Sequence, residues 1–363
     1  MSLVLTAEEE SLRDSVRRFV ADRSPIPAIR KLIDSGQAYD PAVWQQLAGQ
    51  LGLASLLIPE EYGGAGAGHS ALTVALQELG AGLVPSPLLA SGVLAAGLLL
   101  HLDDEDARRE LLPGIASGEL VATVALTGAG HPAVSAAGSG EQARLTGEVS
   151  PVLNGAEAGV LLIPAAGPGG LAVYRVDADA AGLSREPLTS TDHTRALARV
   201  VLDDTPARPL AGDAAAALAA AADLANLALA AEQCGAMAAC LAMTSEYAKL
   251  RVAFGQPIGA FQAVKHRLAD METAWELAHA TLRAAATSAD TDPDRFSADA
   301  SVARVLTSGP YFTAAADTIQ LHGGIGFTWE HDAHLYYKNA LAGQVLLGTP
   351  GDQLDRLATT LGV

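Results

Sequence analysis

From Ala214 to Arg251 the chain runs without a proline and with a single glycine, Gly235, in a stretch dominated by alanine and leucine. Proline and glycine are the residues that interrupt helices, so their scarcity predicts one unbroken helix of roughly 35 residues, about 50 Å at 1.5 Å per residue. A rod of that length buries its apolar sides only against other long helices. Helical patterns at Ala260 to Ser288, Ser297 to Leu321, Asp332 to Leu346 and Gly351 to Leu361 supply them. Their corners are marked by glycine and proline, which predicts an antiparallel bundle.

The chain ahead of this run changes character twice. Thr6 and Glu9 have the spacing of a capping box and open a helix through about Ala21. Further helices fit Pro41 to Leu51, Ser70 to Leu83, Pro87 to Leu100 and Asp103 to Leu112, the last closed by Pro113-Gly114. From Leu120 to about Arg208 the period shortens. Val121 to Leu126, Val160 to Pro164, Leu171 to Val176 and Ala198 to Leu202 are apolar runs separated by Gly, Pro, Asp and Ser, the pattern of a small β domain. Helices, then strands, then helices make an α+β protein rather than a βαβ sheet. The expected division is a helical domain over 1–120, a β domain over 121–210 and a helical bundle over 211–363.

Half of the 363 residues are apolar and 18% are charged, which excludes a mainly disordered chain. Lys and Arg total 23 against 41 Asp and Glu, a formal charge of −18. That balance argues against a nucleic-acid partner, which needs a basic face, and an anionic ligand would need its own local basic site. Cys234 and Cys240, six apart in the alanine-rich run, read as buried small hydrophobes rather than a disulfide or metal site. The first residues lack the basic and apolar regions of a signal peptide. Pro87 to Leu100 is too short to span a bilayer, and Ala214 to Ala231 is interrupted by Asp223 and Asn226. A cytoplasmic protein without a membrane span is expected.

Three glycine clusters stand out. Pro59 to Gly68 has neither a Gly-Lys-Ser/Thr nor a Gly-x-Gly-x-x-Gly after a strand, and reads as a flexible connection. Leu250 to Ile258 leaves two readings open. Arg251 is a cation suited to a helix C-terminus with Gly255 and Pro257 as punctuation, or a guanidinium set at a corner to hold a phosphate bidentately. Gln320 to Phe327 is likewise a tight corner between helices, or a set of backbone amides open to a diphosphate. His331, Asp332 and His334 lack a third distant ligand, so no metal is expected. There is no Gly-x-Ser-x-Gly and no Ser/His/Asp set.

Taken in order, these segments resemble the acyl-CoA dehydrogenase family over nearly the whole chain. Trp44, Leu51-Gly52-Leu53 and Ile58 to Gly64 are similar to its N-terminal signature, and Leu112 to Glu119 with Val124 to Thr127 to its entry into the β domain. Arg251 to Ile258, Phe261-Gln262 and Gln320 to Phe327 match its C-terminal signatures. Phe261 to His266 and Phe327 to Asp332 resemble actinobacterial members, including those acting on sterol side chains.

The resemblance implies an N-terminal helical domain, a small β domain and a C-terminal four-helix-bundle-like domain. It also implies FAD bound at a subunit interface, and an oxidoreductase that desaturates an acyl-CoA thioester between its α and β carbons. A carboxylate would take the α-proton while the β-hydrogen leaves as hydride to the flavin. An electron-transferring flavoprotein or similar acceptor and a tetrameric assembly are implied too. Carried over by residue, the flavin contacts are Arg251, Phe254, Gln262, Gln320, Gly323, Gly324 and Thr349.

The chain departs from the family pattern at the base. Leu347 stands just before Gly348-Thr349, where most members carry Glu, and Ala225-Asn226 stand at the other usual position. Gly128-Ala129-Gly130-His131-Pro132 replaces the usual motif after Thr127, and no Trp occurs in Thr146 to Leu162 to flank the flavin. Pieces that reach a neighbour's FAD are kept while pieces of the chain's own pocket are lost. That favours the incomplete partner of a heteromer, with the base supplied by another subunit. A self-sufficient enzyme using Asp223, Glu232 or Asp352 is the competing reading, and a non-redox acyl-CoA-binding or assembly protein on the same scaffold a third. The catalytic residue is therefore left unassigned.

Overall fold

The computed structural model describes residues 4–126 and 133–362. Its helices and strands run in the expected order. First come α1 (Ala7–Arg23), α2 (Ile26–Ser35), α3 (Pro41–Gln45), α4 (Gly68–Ala81), α5 (Ala96–His101) and α6 (Glu105–Ser117). Then come β1 (Ala122–Val124), β2 (Val134–Ala137), β3 (Arg144–Leu153), β4 (Val160–Gly167), β5 (Gly170–Asp177), β6 (Leu183–Pro187), β7 (Leu197–Pro206) and β8 (Arg208–Pro209). The long helix α7 (Ala214–Leu250) follows, then the hairpin β9 (Val252–Ala253) and β10 (Gln256–Pro257). The chain finishes with α8 (Gln262–Thr291), α9 (Pro293–His322), α10 (Ala333–Gly343) and α11 (Pro350–Leu361).

The chain forms two compact units. One comprises Lys31–Leu72 and Pro85–Ala225. In it a sheet in the order β6-β7-β3-β2-β4-β5-β8 is mainly antiparallel, with β1 joining β4 in parallel through Ala122 opposite Val160. Alternate residues (Leu145, Leu161, Ile163, Val176, Val200, Leu202) face a shared apolar core, which is why short runs among turn residues suffice to specify the strands. The sequence misses β2, β3 and β6, because polar residues interrupt their alternation. The expected strand from Val121 is shorter than predicted, and the Thr127 to Pro132 motif lies outside the described residues.

The helix expected to stop at Pro113 continues to Ser117 and ends at Gly118, left-handed with φ 75°. A proline inside a helix costs about 3 kcal/mol. Here Leu111, Leu112, Ile115 and Ala116 all bury themselves on the continuing face, and that burial offsets the cost. The glycine cluster at 59–68 spends its amides on the chain itself. Ala65, Gly66 and Ala67 donate to the carbonyls of Ser55, Ile58 and Leu56, which leaves no cradle for phosphate there.

The other unit comprises Met1–Arg30, Thr73–Val84 and Asn226–Val363. The capping box of α1 is present: Glu9 N–H donates to Thr6 Oγ1 at 3.2 Å and Thr6 N–H to Glu9 Oε2 at 2.8 Å. Both Glu9 oxygens also accept from the buried Arg283 guanidinium at 3.1 Å, tying α1 to α8. Gly235 is no hinge. A Cβ there would stand 1.8 Å from the Gln77 carbonyl oxygen, and one on Gly80 would stand 2.0 Å from that of Glu232. The two glycines let α4 and α7 touch backbone to backbone. Among the described residues α7 is the one helix long and apolar enough to cross a bilayer. Two thirds of its most apolar window is buried in the protein, as in a core helix. Cys234 and Cys240 are both buried, and burial pushes each thiol up to about 12.

α8 and α9 form a hairpin across Asp292, so α9 runs in the same direction as α7. Thr244 and Thr318 meet through their hydroxyls at 3.0 Å near the shared end of α7 and α9.

Candidate functional site

The C-terminal ends of α7 and α9 and the start of α8 meet at one end of the bundle. Arg251 follows the last residue of α7, its N–H bonded to the Tyr247 carbonyl at 2.8 Å and its own carbonyl accepting from Ile258 N–H at 2.8 Å. This closes the β9–β10 hairpin, whose register pairs Ala253 with Gln256. The two turn residues, Phe254 and Gly255, both take left-handed backbone (φ 52° and 81°). Two residues in that conformation make the tight turn that matches strand twist. Glycine does this freely, while phenylalanine pays a conformational cost. Phe254 is also 97% exposed, with its ring set edge-on to Phe261 at 6.2 Å between centroids. A strained aromatic held out into solvent has no packing role within this chain. Gln262, exposed, opens α8 beside it.

The second half of the site comes from the end of α9. Gln320 is exposed, His322 buried, and Gly323 ends the helix at φ 64°, ψ −143°, a conformation open to glycine alone. A Cβ on Gly323 or Gly324 would meet nothing within 4 Å. Gly324 has neither a left-handed φ nor a close neighbour to require it. Gly326 is different: a Cβ there would press on the Ile319 carbonyl at 2.8 Å.

Tyr247 joins the two halves. Its ring lies 4.3 Å from that of His322 and its hydroxyl donates to the His322 carbonyl at 3.3 Å. Tyr247 sits one turn before Arg251, and His322 immediately precedes Gly323. The backbone of Arg251 and the glycine corner are thereby held at one end of the unit. Among the described residues no carboxylate pairs with Arg251, and the start of α8 adds the positive end of a 30-residue helix.

Behind the corner, His331 packs on His322 at 4.3 Å. His322 Nδ1 lies 2.6 Å from the Thr318 carbonyl and so carries the proton, while His331 Nδ1 accepts from Ala333 N–H at 3.1 Å. Burial lowers the pKa of both, with the neighbouring His331 adding to the effect at His322 and Arg30 at His331. Arg30 also donates to the carbonyls of Trp329 and His331 and, through Nη2, to Asp332 at 2.8 Å. His331, Asp332 and His334 thus serve this network, and no group of three metal-binding side chains lies among the described residues. The sequence singles out neither Tyr247 nor Arg30, and shows His322 only as a member of the Gln320 to Phe327 cluster, since contacts across tens to hundreds of residues leave no local signal.

Thr349 stands at a different corner, as the N-cap of α11. Its hydroxyl accepts from Asp352 N–H at 3.2 Å, and its own N–H donates to Asp352 Oδ2 at 2.7 Å. These Thr349 donors hold the Asp352 carboxyl below the usual range, which makes it an ionised cap and a poor proton acceptor. Asp223 is buried and Glu232 half-buried on α7. Asn226 is buried and donates to Gln353 Oε1 at 2.8 Å; Ala225 is buried, and Leu347 is half-buried with φ 57°.

Large apolar side chains are left exposed beside Arg251 (Leu250, Val252) and after the glycine corner (Ile325, Trp329 and the 86% exposed Phe327). Such a patch marks a surface meant to be covered.

Comparison with known proteins agrees with this architecture. Residues 6–119 match the profile of the acyl-CoA dehydrogenase N-terminal domain, and residues 214–362 that of the acyl-CoA dehydrogenase C-terminal domain. The chain is 39% identical to the acyl-CoA dehydrogenase IpdE2 of Mycobacterium tuberculosis over 96% of both chains. It is 34% identical to the IpdE2 of Mycolicibacterium smegmatis, over 97% of this chain and 98% of that one. Among solved structures it resembles the ChsE4-ChsE5 complex from Mycobacterium tuberculosis, with a TM-score of 0.92, 31% identity and coverage of 100% and 99%. It resembles the Tcur3481-Tcur3483 steroid ACAD with a TM-score of 0.89, 34% identity and 98% coverage of each. With both terminal domains matched and relatives 34% and 39% identical over nearly the whole chain, the chain belongs to the acyl-CoA dehydrogenase family.

Proposed function

We propose that the chain is a subunit of an FAD-dependent acyl-CoA dehydrogenase that desaturates an acyl-CoA thioester between the α and β carbons. In this reading it is the partner that lacks the base. The observation that carries the reading is the Tyr247–His322 contact, which holds Arg251 and Gly323-Gly324 on one open, apolar-rimmed end. An unpaired guanidinium, a helix N-terminus and two glycines with empty space before them suit the diphosphate bridge of a dinucleotide. Arg251, Phe254, Gln262, Gln320, Gly323 and Gly324 are the residues that would hold it, with Thr349 as a further contact from its own corner. Because they face outward, the FAD they grip belongs largely to a neighbouring subunit.

When bound, the flavin supplies the acceptor for the hydride that leaves the β carbon. What this chain contributes is charge neutralisation at the diphosphate, exclusion of water by the Phe254–Phe327 rim, and orientation. It does not contribute the proton acceptor. Leu347 is alkyl and Asn226 is an amide committed to Gln353, so neither takes an α-proton. The partner supplies the carboxylate, and the similarity to the ChsE4-ChsE5 complex supports a heteromer of this kind. The steroid ACAD neighbour supports a bulky, sterol-derived acyl group. A heterotetramer, an electron-transferring flavoprotein or similar acceptor, and a cytoplasmic setting complete the proposal. We also read three domains, 1–120, 121–210 and 211–363, supported by the bounds of the two family matches.

A non-redox acyl-CoA-binding or assembly protein on the same scaffold is the second reading, favoured by the absence of a carboxylate at Leu347 and Asn226. Purification of the chain alone, and again with the product of an adjacent gene, separates the two by visible spectrum and dye-linked reduction with several acyl-CoAs. Colour and activity confined to the co-purified complex are expected. An active yellow homomer would defeat the partner-base reading, and colourless protein in both samples would favour the non-redox one.

A further inference from the structure

Arg304, on α9, is fully buried. Its Nη1 donates to Gln233 Oε1 at 2.8 Å and Ser308 Oγ at 3.0 Å, and its Nη2 to the carbonyls of Gly343 at 2.6 Å and Leu346 at 3.3 Å. The last two acceptors are the final residue of α10 and a turn residue three positions beyond it, where main-chain carbonyls have lost their helical partners. A planar fork reaches all four, while an ammonium, a point charge with three donors, does not. Gln233 is held in turn by the bare Gly343, where a Cβ would come within 2.7 Å of its Nε2.

Just beyond these carbonyls the chain takes two left-handed residues in succession, Leu347 (φ 57°) and Gly348 (φ 110°). Leucine pays for that conformation, and it persists only where the surroundings over-determine it. The far side of the corner is fixed as well. Thr349 and Asp352 cap α11, and Gln353 in its first turn accepts from Asn226 of α7.

We propose that Arg304 is the positioning residue for the Leu347–Thr349 corner. The guanidinium pins the corner's upstream end, the α11 cap pins its downstream end, and together they hold Thr349 at a set place and angle. The clamp stands on its own geometry. Its consequence, that it aims Thr349 at the dinucleotide, rests on the flavoprotein reading.

Hydrogen exchange on the full chain tests the clamp. Arg304→Lys keeps the charge and loses the fork, and amides of residues 347–353 are expected to exchange about tenfold faster while α7 and α8 keep their rates. Ser308→Ala, which leaves both carbonyl bonds in place, is expected to match the native chain in this segment. Should Arg304→Lys fail to fold, Gly343→Ala displaces the Gln233 amide and is expected to loosen the same segment by a smaller factor. No change at 347–353, or acceleration spread evenly over the bundle, overturns the proposal.

Flavin affinity of the assembled complex tests the consequence. Arg304→Lys is expected to weaken FAD binding about tenfold, and to have no further effect when Thr349 is already alanine. Effects that simply multiply would overturn the link from Arg304 through Thr349. A colourless native complex would instead defeat the flavoprotein reading, with the exchange experiment still deciding the clamp.

Discussion

Tyr247 and His322 stand 75 positions apart, yet their rings lie 4.3 Å from each other and the phenol donates to the His322 carbonyl at 3.3 Å. The pair couples the last turn of α7 to the last residue of α9, and so joins a cation to a glycine corner that share no local sequence. Loss of one neutral hydrogen bond costs about 1 kcal/mol. Tyr247→Phe is therefore expected to weaken flavin binding to the complex by about fivefold. Tyr247→Ala, which also removes the ring contact, should weaken it further. Fluorescence titration of FAD measures both.

Arg251→Ala removes a charge-assisted contact worth about 1.5–3 kcal/mol, so FAD affinity of the complex should fall by about ten- to a hundredfold. Arg251→Lys, which keeps the charge without the bidentate fork, should recover part of the loss. Unchanged flavin occupancy in the alanine variant would reduce Arg251 to an ordinary helix-end cation.

Gly235→Ala should destabilise the chain severely, because the new methyl would stand 1.8 Å from a main-chain carbonyl that cannot turn aside. Overpacking of this kind costs about 1–3 kcal/mol or more, and here α4 and α7 must separate to relieve it. Gly324→Ala, facing empty space, should leave the melting temperature within about a degree or two of the native value and act on flavin binding alone. Thermal unfolding without FAD distinguishes the two positions.

His322 and His331 set an acid limit. Burial lowers the folded pKa of each below 6.5, against the opposing pull of the Thr318 carbonyl on His322 and of Asp332 on His331. Between the lowered folded value and 6.5 the unfolded chain binds more protons, so stability rises with pH. Their contribution is fully present above about 6.5 and is lost as pH falls through the folded pKa values. Tyr247 faces this pair on one side and the Arg30 guanidinium on the other. Melting temperature measured from pH 5 to 8 should drop on the acid side for the native chain and drop less for the His331→Gln variant.

Much of the fold was legible because the signals are local. The uninterrupted run at 214–251 became a 37-residue helix, and Thr6 with Glu9 became a real capping box. Pro113 misled because a proline's local penalty is visible in sequence while the burial that outweighs it, at Leu111, Leu112, Ile115 and Ala116, is not. Strands β2, β3 and β6 escaped for a related reason: they are specified by partners across the sheet more than by their own alternation.

For the site the division is sharper. By itself the sequence determined which chemical groups are available: a guanidinium at Arg251, glycines at 323 and 324, an alkyl side chain at Leu347 and an amide at Asn226. Identity is enough for that, since no folding turns an alkyl or amide side chain into a base. Where those groups point was decided only in three dimensions. Tyr247 and His322 had to meet for the two halves of the grip to share one end of the bundle, and Gly235 had to lie on Gln77 for α4 and α7 to touch. A contact between distant residues is a property of the packed chain, and no window of sequence contains both of its members.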